Sequence, residues 1–85
     1  MDKVETAKLI DKMLDLYPNM LGKRTAEQIL DVWAEAFAET KFEYASKSLI
    51  DHAREMERPP TIADICKRAE RYYLDELQAK GVIYY

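Results

Sequence analysis

The helical organisation of this chain is clearest at residues 58–65, which read Arg58-Pro59-Pro60-Thr61-Ile62-Ala63-Asp64-Ile65. The two prolines have no backbone N–H group and fix an extended link, so a helix must end before them. Thr61 and Asp64 have the spacing of a capping box, in which two side chains bind free backbone amides at the start of a helix. The stretch therefore predicts that one helix ends before Pro59 and that another begins at Ile62.

Apolar residues recur at three- and four-residue spacing on both sides of this link, which predicts amphipathic helices. We expect four of them, over about residues 3–16, 26–38, 41–56 and 62–79. Thr25 with Gln28 and Thr40 with Glu43 repeat the capping-box spacing at the second and third helices. The predicted fold class is all-α, a compact bundle of about four helices.

The ends of the helices and the core follow from the same pattern. Pro18 disfavours helical geometry at Tyr17, and Gly81 stands where a helix terminator belongs. The third helix has an apolar stripe of Phe42, Ala45, Leu49, Ala53 and Met56. The residues expected to have structural roles are Tyr17, Pro18, Trp33, Phe37, Phe42, Leu49, Pro59, Pro60, Thr61, Ile62 and Ile65.

The chain has 85 residues, which suits one domain with one core. Within residues 1–85 we distinguish a three-helix scaffold (1–58), the Pro-Pro link (59–61), and the fourth helix with its tail (62–85). The second and third helices are separated by only about three residues, so they are expected to pack as neighbours with reversed or steeply crossed axes. Trp33 and Phe37 stand one turn apart, and a place in the core is favoured over the alternative of an exposed partner anchor.

Composition indicates where the protein is found. Apolar residues make up 48% of the chain, too many for intrinsic disorder. Cys66 is the single cysteine, which rules out an internal disulfide and fits a reducing compartment. No apolar run approaches the roughly 20 residues of a membrane span, and the N-terminus lacks the apolar stretch of a signal peptide. We therefore expect a cytoplasmic protein with no membrane partner.

The charge pattern argues against nucleic acid as the principal partner. The net charge is −3, and residues 1–40 carry all of this excess, with five Lys/Arg against eight Asp/Glu. Nucleic-acid-binding modules usually have a basic excess. Lys67, Arg68 and Arg71 form the densest basic patch, on the outer face of the fourth helix. Helix-stabilising charge is the favoured interpretation of this patch, and a nucleic-acid site is the alternative.

Catalytic and cofactor chemistry have little support in the residues. One histidine and one cysteine cannot form a zinc site of the usual two-plus-two spacing, and no glycine-rich phosphate loop is present. Cys66 and His52 are the one conceivable nucleophile–base pair. We interpret Cys66 instead as a small buried hydrophobe, and His52 as a solvated surface residue among charged neighbours. The expectation is a protein that is not an enzyme and needs no cofactor or metal.

The C-terminal aromatic residues are the main candidates for a partner surface. Adjacent residues of a helix point about 100° apart, so Tyr72 and Tyr73 cannot face the same core. One is expected to pack while the other is at least partly exposed, as an interface anchor or as an extension of the core. The candidate partner-binding residues are Lys67, Arg68, Arg71, Tyr72, Tyr73, Leu74, Leu77, Tyr84 and Tyr85.

Three of these features together resemble the small phage-encoded loaders and inhibitors of the host replicative helicase. They are Tyr17-Pro18 at the end of the first helix, Trp33 in the second, and the stretch Arg58–Ile65, which is the most specific. The similarity covers about residues 3–66.

The resemblance implies that this chain is like the helical N-terminal domain of such a protein. It implies a DnaB-type hexameric helicase as partner, suppression of that helicase while bound, and its delivery to an origin-bound initiator. It also implies that the helicase contact lies in the C-terminal part, here roughly Lys67 to Tyr85, and that the location is the host cell cytoplasm.

Two other classes of function stay open on the residues alone. One is a small DNA-binding replication or regulatory protein that uses the basic patch. The other is a self-associating helical module that buries its C-terminal tyrosines against a second copy. A monomer or a weak oligomer is expected.

Overall fold

The computed structural model describes residues 1–79 and contains four α-helices there, α1 (Lys3–Leu16), α2 (Ala26–Ala36), α3 (Phe42–Glu55) and α4 (Ile62–Ala79). No strand occurs among these residues. This confirms the predicted all-α bundle of about four helices, with each boundary within two residues of the prediction. The predicted terminator Gly81 and the tail that contains Tyr84 and Tyr85 lie outside the described residues.

Reciprocal side-chain caps begin two of the first three helices. At α2, the Thr25 hydroxyl accepts from the N–H of Gln28 (3.3 Å), and the Gln28 side chain accepts from the N–H of Thr25 (2.9 Å). This is the predicted capping box. At α1, Asp2 and Glu5 form a second reciprocal cap that was not predicted. Both caps use contacts within one turn, so each helix start is fixed locally.

The capping box predicted for α3 is wrong. The N-cap of α3 is Lys41, which makes no side-chain capping hydrogen bond, and Thr40 precedes it. The Thr40 hydroxyl instead lies 4.0 Å from the Cys66 sulfur, and its carbonyl accepts a hydrogen bond from the N-terminal ammonium of Met1 (2.6 Å). The hydroxyl and the carbonyl of Thr40 therefore contact distant parts of the chain, and Glu43 does not have Thr40 as its capping partner.

The central helix of the bundle is α1, which packs against both α2 and α3, while α4 packs along α3. The helices α2 and α3 do not form a principal pair, contrary to the prediction from their short connection. Since α1 packs against both, it joins them into one bundle. The buried core cluster consists of Leu9, Met13, Phe37, Ala45, Leu49 and Ile65.

Trp33 lies on α2 and Phe37 directly follows it, and both aromatic side chains have the expected structural role. Phe37 is fully buried, and the half-buried Trp33 packs against the core. Their rings meet edge to face, with centroids 5.7 Å apart and planes at 74°. On the same helix, Val32 is 61% exposed, so the apolar stripe runs through Trp33 and not through Val32.

His52 is buried, and its expected surface position is therefore wrong. Only 3% of the residue is exposed, and its Nε2 lies 3.0 Å from the carbonyl oxygen of Arg58. Because a carbonyl can only accept, Nε2 carries the hydrogen in this bond. His52 is three and seven residues beyond the buried Leu49 and Ala45, which places it on the inner face of α3. Met56, assigned to that stripe, is instead 43% exposed.

The Pro-Pro link is anchored to the rest of the bundle. Pro60 is buried, whereas Pro59 is exposed. Just before the link, the Tyr17 hydroxyl donates to the carbonyl oxygen of Met56 (2.9 Å). Beyond it, the N–H of Asp64 donates to the Thr61 hydroxyl (3.1 Å), as predicted for the start of α4. The direction in which α4 leaves the scaffold is thus set by contacts on both sides of the prolines.

The N-terminal ammonium of Met1 binds the carboxyl end of α2. It donates to the carbonyl oxygens of Phe37 (2.9 Å), Ala38 (3.2 Å) and Thr40 (2.6 Å). The last carbonyls of a helix have no partners within the helix and carry partial negative charge, so a cation there is favourable. A backbone ammonium therefore supplies the C-terminal charge of α2, which has no basic residue in its last turn.

An N-terminal extension should weaken this contact measurably. If a glycine-serine dipeptide precedes Met1, the ammonium becomes a neutral amide, and we expect the free energy of unfolding to fall by about 1–2 kcal/mol. Thermal melts followed by circular dichroism measure the difference as a Tm lower by roughly 4–8 °C per kcal/mol. The control is Lys3→Gln, which breaks only the exposed ion pair with Asp31 (2.7 Å) and should change stability by less than about 0.5 kcal/mol. Equal melting temperatures for the extended and original chains would contradict the ammonium contact.

None of the described helices is long and apolar enough to cross a membrane.

Candidate partner-binding surface

The second half of α4 is poorly covered by the rest of the bundle. The principal neighbour of α4 is α3, and the buried residues of α4 within the described range are Ile65 and Ala69, both in its first half. No residue from 70 to 79 is buried. The second half of α4 therefore presents most of its surface to solvent, and the predicted partner residues lie along this half and just before it.

The basic residues of α4 come together in a cleft at the end of α3. We call it the basic cleft. Its volume is about 410 Å³, and it is lined by His52, Glu55, Met56, Arg58, Asp64, Lys67, Arg68 and Arg71. The predicted patch of Lys67, Arg68 and Arg71 thus forms one wall, whereas the opposite wall comes from α3 and the link. Arg58 and Met56 were not predicted as site residues, because their contribution depends on how α4 folds back against α3.

Two of the four basic side chains in the cleft are held by carboxylates. Arg68 pairs with Glu55 at 2.6 Å, and Arg58 pairs with Asp64 at 3.3 Å. The hydrogen bond with Glu55, followed by one with the Tyr72 hydroxyl, raises the pKa of the Arg68 guanidinium. Neither Lys67 nor Arg71 makes an ion pair within the described residues. The lining of the cleft therefore has more positive than negative groups.

Asp64 links the cleft to the start of α4. The backbone N–H of Thr61 donates to its carboxylate (3.0 Å), and this bond is the largest cause that lowers the pKa of Asp64. The Thr61 hydroxyl and the Arg58 guanidinium lower the pKa further, although desolvation acts in the opposite direction. The charged carboxylate is therefore the form that the folded state prefers.

The contribution of Asp64 to the free energy of unfolding should be larger at neutral pH than in acid. Because the folded-state pKa is lowered, the contribution is present above the ordinary carboxyl pKa of about 4 and is lost as the pH falls below it. We expect Asp64→Asn to lower the free energy of unfolding by about 0.5–1 kcal/mol at pH 7, a figure reduced for solvent screening. Urea titrations at pH 7 and at roughly pH 3 should show this difference and then its decrease, since the carboxylate becomes protonated in the folded state only as the pH falls through its lowered pKa. A difference of equal size at both pH values, or one also shown by Asp75→Asn on the exposed part of α4, would refute the role of the carboxylate charge.

Tyr72 and Tyr73 divide as their helical spacing predicts. Tyr72 is half-buried, and its hydroxyl donates to the carboxylate of Asp51 on α3. The ammonium of Lys47 lies 4.4 Å from the centre of its ring, within cation–π range. Burial, and then the hydrogen bond to Asp51, raises the pKa of the Tyr72 hydroxyl. Tyr72 thus fastens α4 to α3.

Tyr73 is 43% exposed and stands at the other edge of α4. Its ring meets that of Tyr44 edge to face, with centroids 6.2 Å apart, and the Lys41 ammonium lies 5.9 Å from its centre. Leu74 is 42% exposed, and Leu77 is half-buried. At about 100° per residue, Tyr73, Leu77 and Leu74 span about 100° of the helix surface. We call these three residues the apolar strip.

The structure does not join Cys66 and His52 as a catalytic pair. The Cys66 sulfur is half-buried near Thr40, whereas His52 is hydrogen-bonded to the carbonyl of Arg58. Within residues 1–79, no group of His, Cys, Asp or Glu side chains is arranged to hold a metal ion.

The fold and this surface define a small all-α domain that leaves one side of its last helix uncovered. A family model for the N-terminal domain of the phage gene 39 protein, a helicase loader and inhibitor, matches residues 1–66, more than three quarters of the chain. The chain belongs to this family, as the resemblance implied, and the family places it among phage helicase-associated proteins. No curated protein and no solved structure matches the chain significantly. The family match ends within α4, at Cys66, so the basic wall of the cleft and the apolar strip lie beyond it.

Proposed function

We propose that this chain binds the host replicative helicase, a DnaB-type hexamer, and thereby holds it inactive or delivers it to an origin-bound initiator. The observation that carries the proposal is the family match over residues 1–66, since the family is helicase-associated. The chain acts by binding and not by catalysis. The nucleotide chemistry belongs to the helicase.

The contact with the helicase is made by the uncovered side of α4. This side supports the proposal because Tyr73 and Leu74 are each more than two-fifths exposed, although both are large apolar side chains in a helix. Aromatic and aliphatic anchors surrounded by charged residues are typical of protein interfaces. Residues 1–58 then act as a scaffold that fixes the direction of α4 through the Pro-Pro link. Tyr84 and Tyr85, the other two tyrosines expected at the partner surface, lie outside the described residues.

DNA unwinding by the helicase tests the proposal. A purified DnaB-type hexamer is assayed on a forked duplex while the chain is added in increasing amounts. We expect unwinding to fall and to level off once the chain is stoichiometric with helicase subunits, because suppression requires occupancy and not turnover. A parallel assay with the origin-bound initiator present should restore unwinding if the chain also delivers the helicase. Unwinding that stays constant at saturating chain, with and without the initiator, would reject the proposed function.

A further inference from the structure

The basic cleft has an unbalanced charge in a protein whose net charge is negative. Four cationic side chains and two carboxylates line it, while the whole chain has a net charge of −3. Lys67 and Arg71 lie four residues apart on α4, and both are exposed. Like charges at this spacing repel and cost a helix a few tenths of a kcal/mol. The two side chains therefore add positive charge to one wall of the cleft.

Two arginines of the cleft, Arg58 and Arg68, each form an ion pair with a carboxylate. Glu55 pairs with the guanidinium of Arg68 at 2.6 Å, and Asp64 pairs with that of Arg58 at 3.3 Å. A guanidinium has five N–H donors, so a contact with one carboxylate oxygen leaves donors free for a second anion. Planar guanidinium groups that are held in place match the two oxygens of a carboxylate. The cleft thus combines two guanidinium groups that each contact a carboxylate with two cations that make no ion pair within residues 1–79.

An apolar contact adjoins the cationic wall. Leu74 is three residues beyond Arg71 and seven beyond Lys67, which places it within about 60° of both on the surface of α4. Across the cleft, Met56 is 43% exposed. A ligand that fills the cleft therefore meets cations and the Met56 side chain, and one that extends past Lys67 and Arg71 reaches Leu74 just outside the cleft.

We propose that the basic cleft binds a short acidic peptide segment of a protein partner, with its carboxylates on Lys67 and Arg71 and an apolar side chain against Leu74. The proposal rests on the proposed function for the partner being a protein. A peptide fits better than nucleic acid because residues 1–40 carry the whole charge excess of −3. Such a field repels a long polyanion along its length, whereas a short segment meets mainly the local charge of the cleft.

Fluorescence anisotropy with defined peptides tests this assignment on the full chain. The probe is a labelled short peptide that alternates glutamate with leucine, and the matched probe has glutamine in place of glutamate. We expect the glutamate peptide to bind and the glutamine peptide to bind at least about tenfold more weakly. The double variant Lys67→Gln/Arg71→Gln should weaken binding of the glutamate peptide by about tenfold or more. The control Lys8→Gln/Lys23→Gln removes the same charge from exposed positions elsewhere and should leave binding nearly unchanged.

Three results would overturn the assignment. The first is equal binding of the two peptides, and the second is equal loss in the two double variants. The third is tighter binding of a labelled DNA oligonucleotide that Lys67→Gln/Arg71→Gln abolishes, which would make the cleft a nucleic-acid site. Circular dichroism of both double variants should show unchanged helix content, since all four side chains are exposed. Helicase binding that persists without peptide binding overturns the cleft assignment alone, whereas peptide binding without helicase binding overturns the proposed function alone.

Discussion

Phe37→Ala is expected to remove about 3–5 kcal/mol from the free energy of unfolding. Phe37 is fully buried, lies in the core cluster and packs edge to face against Trp33. Its removal leaves a cavity in the cluster that contains Leu9 and Leu49, which the helices cannot close without moving. A domain of this size has a net stability of about 5–10 kcal/mol, so the variant should lose a large part of it. The Tm should fall by roughly 15–30 °C.

The matched control lies on α2, the helix that ends just before Phe37. Val32→Ala changes a side chain that is 61% exposed, and alanine has the higher helix propensity. We therefore expect a change of less than about 0.5 kcal/mol. Urea titrations of both variants give the comparison. A loss of less than about 1 kcal/mol in Phe37→Ala would mean that the core is not organised around this ring.

Leu74→Asp is expected to weaken helicase binding by about a hundredfold or more while the domain stays folded. Leu74 is an exposed residue of the apolar strip, and an interface anchor of this kind contributes about 2–4 kcal/mol. An aspartate there also places a negative charge beside Lys67 and Arg71, where the proposed acidic segment binds. Because Leu74 is 42% exposed, the free energy of unfolding should change by less than about 1 kcal/mol.

Val32→Asp is the control for this second variant. It places the same charge at an exposed position of α2, and we expect its affinity for the helicase to match that of the original chain. Isothermal titration calorimetry against the hexamer measures both. If the two variants bind alike, α4 does not form the contact.

Features that depend on one or two helical turns were predictable from the sequence. The capping boxes at Thr25 and Thr61 are contacts between residues three apart, and the structure has both. The division between Tyr72 and Tyr73 follows from helix geometry, which requires adjacent side chains to point about 100° apart. Which of them packs was not predictable, because the choice depends on Asp51 and Lys47 on another helix.

Features that depend on distant residues were missed. Thr40 does not cap α3 because its hydroxyl faces Cys66 and its N–H donates to the carbonyl of Phe37, and the sequence pattern does not indicate the contact with Cys66. His52 is different, since its spacing from Ala45 and Leu49 marks the inner face of α3. Its polar side chain suggested a surface position, but the buried imidazole forms a hydrogen bond with the carbonyl oxygen of Arg58.

The candidate surface was predictable only on one side. The basic residues of α4 that line the basic cleft were identified from the density of positive charge at Lys67, Arg68 and Arg71. The opposite wall was not, because α3 and the link reach the cleft only once α4 has folded back against α3. Arg58 and Glu55 enter the site in this way, each by pairing with a residue of α4.

The mass of the complex tests the central claim most directly. A purified DnaB-type hexamer is mixed with an excess of the chain at physiological salt and analysed by size-exclusion chromatography with multi-angle light scattering. We expect the chain to co-elute with the hexamer and to raise its mass by a whole number of chains of 10.0 kDa each. A hexamer of unchanged mass, with all of the chain eluting separately, would contradict the claim that this protein is a helicase-binding adaptor.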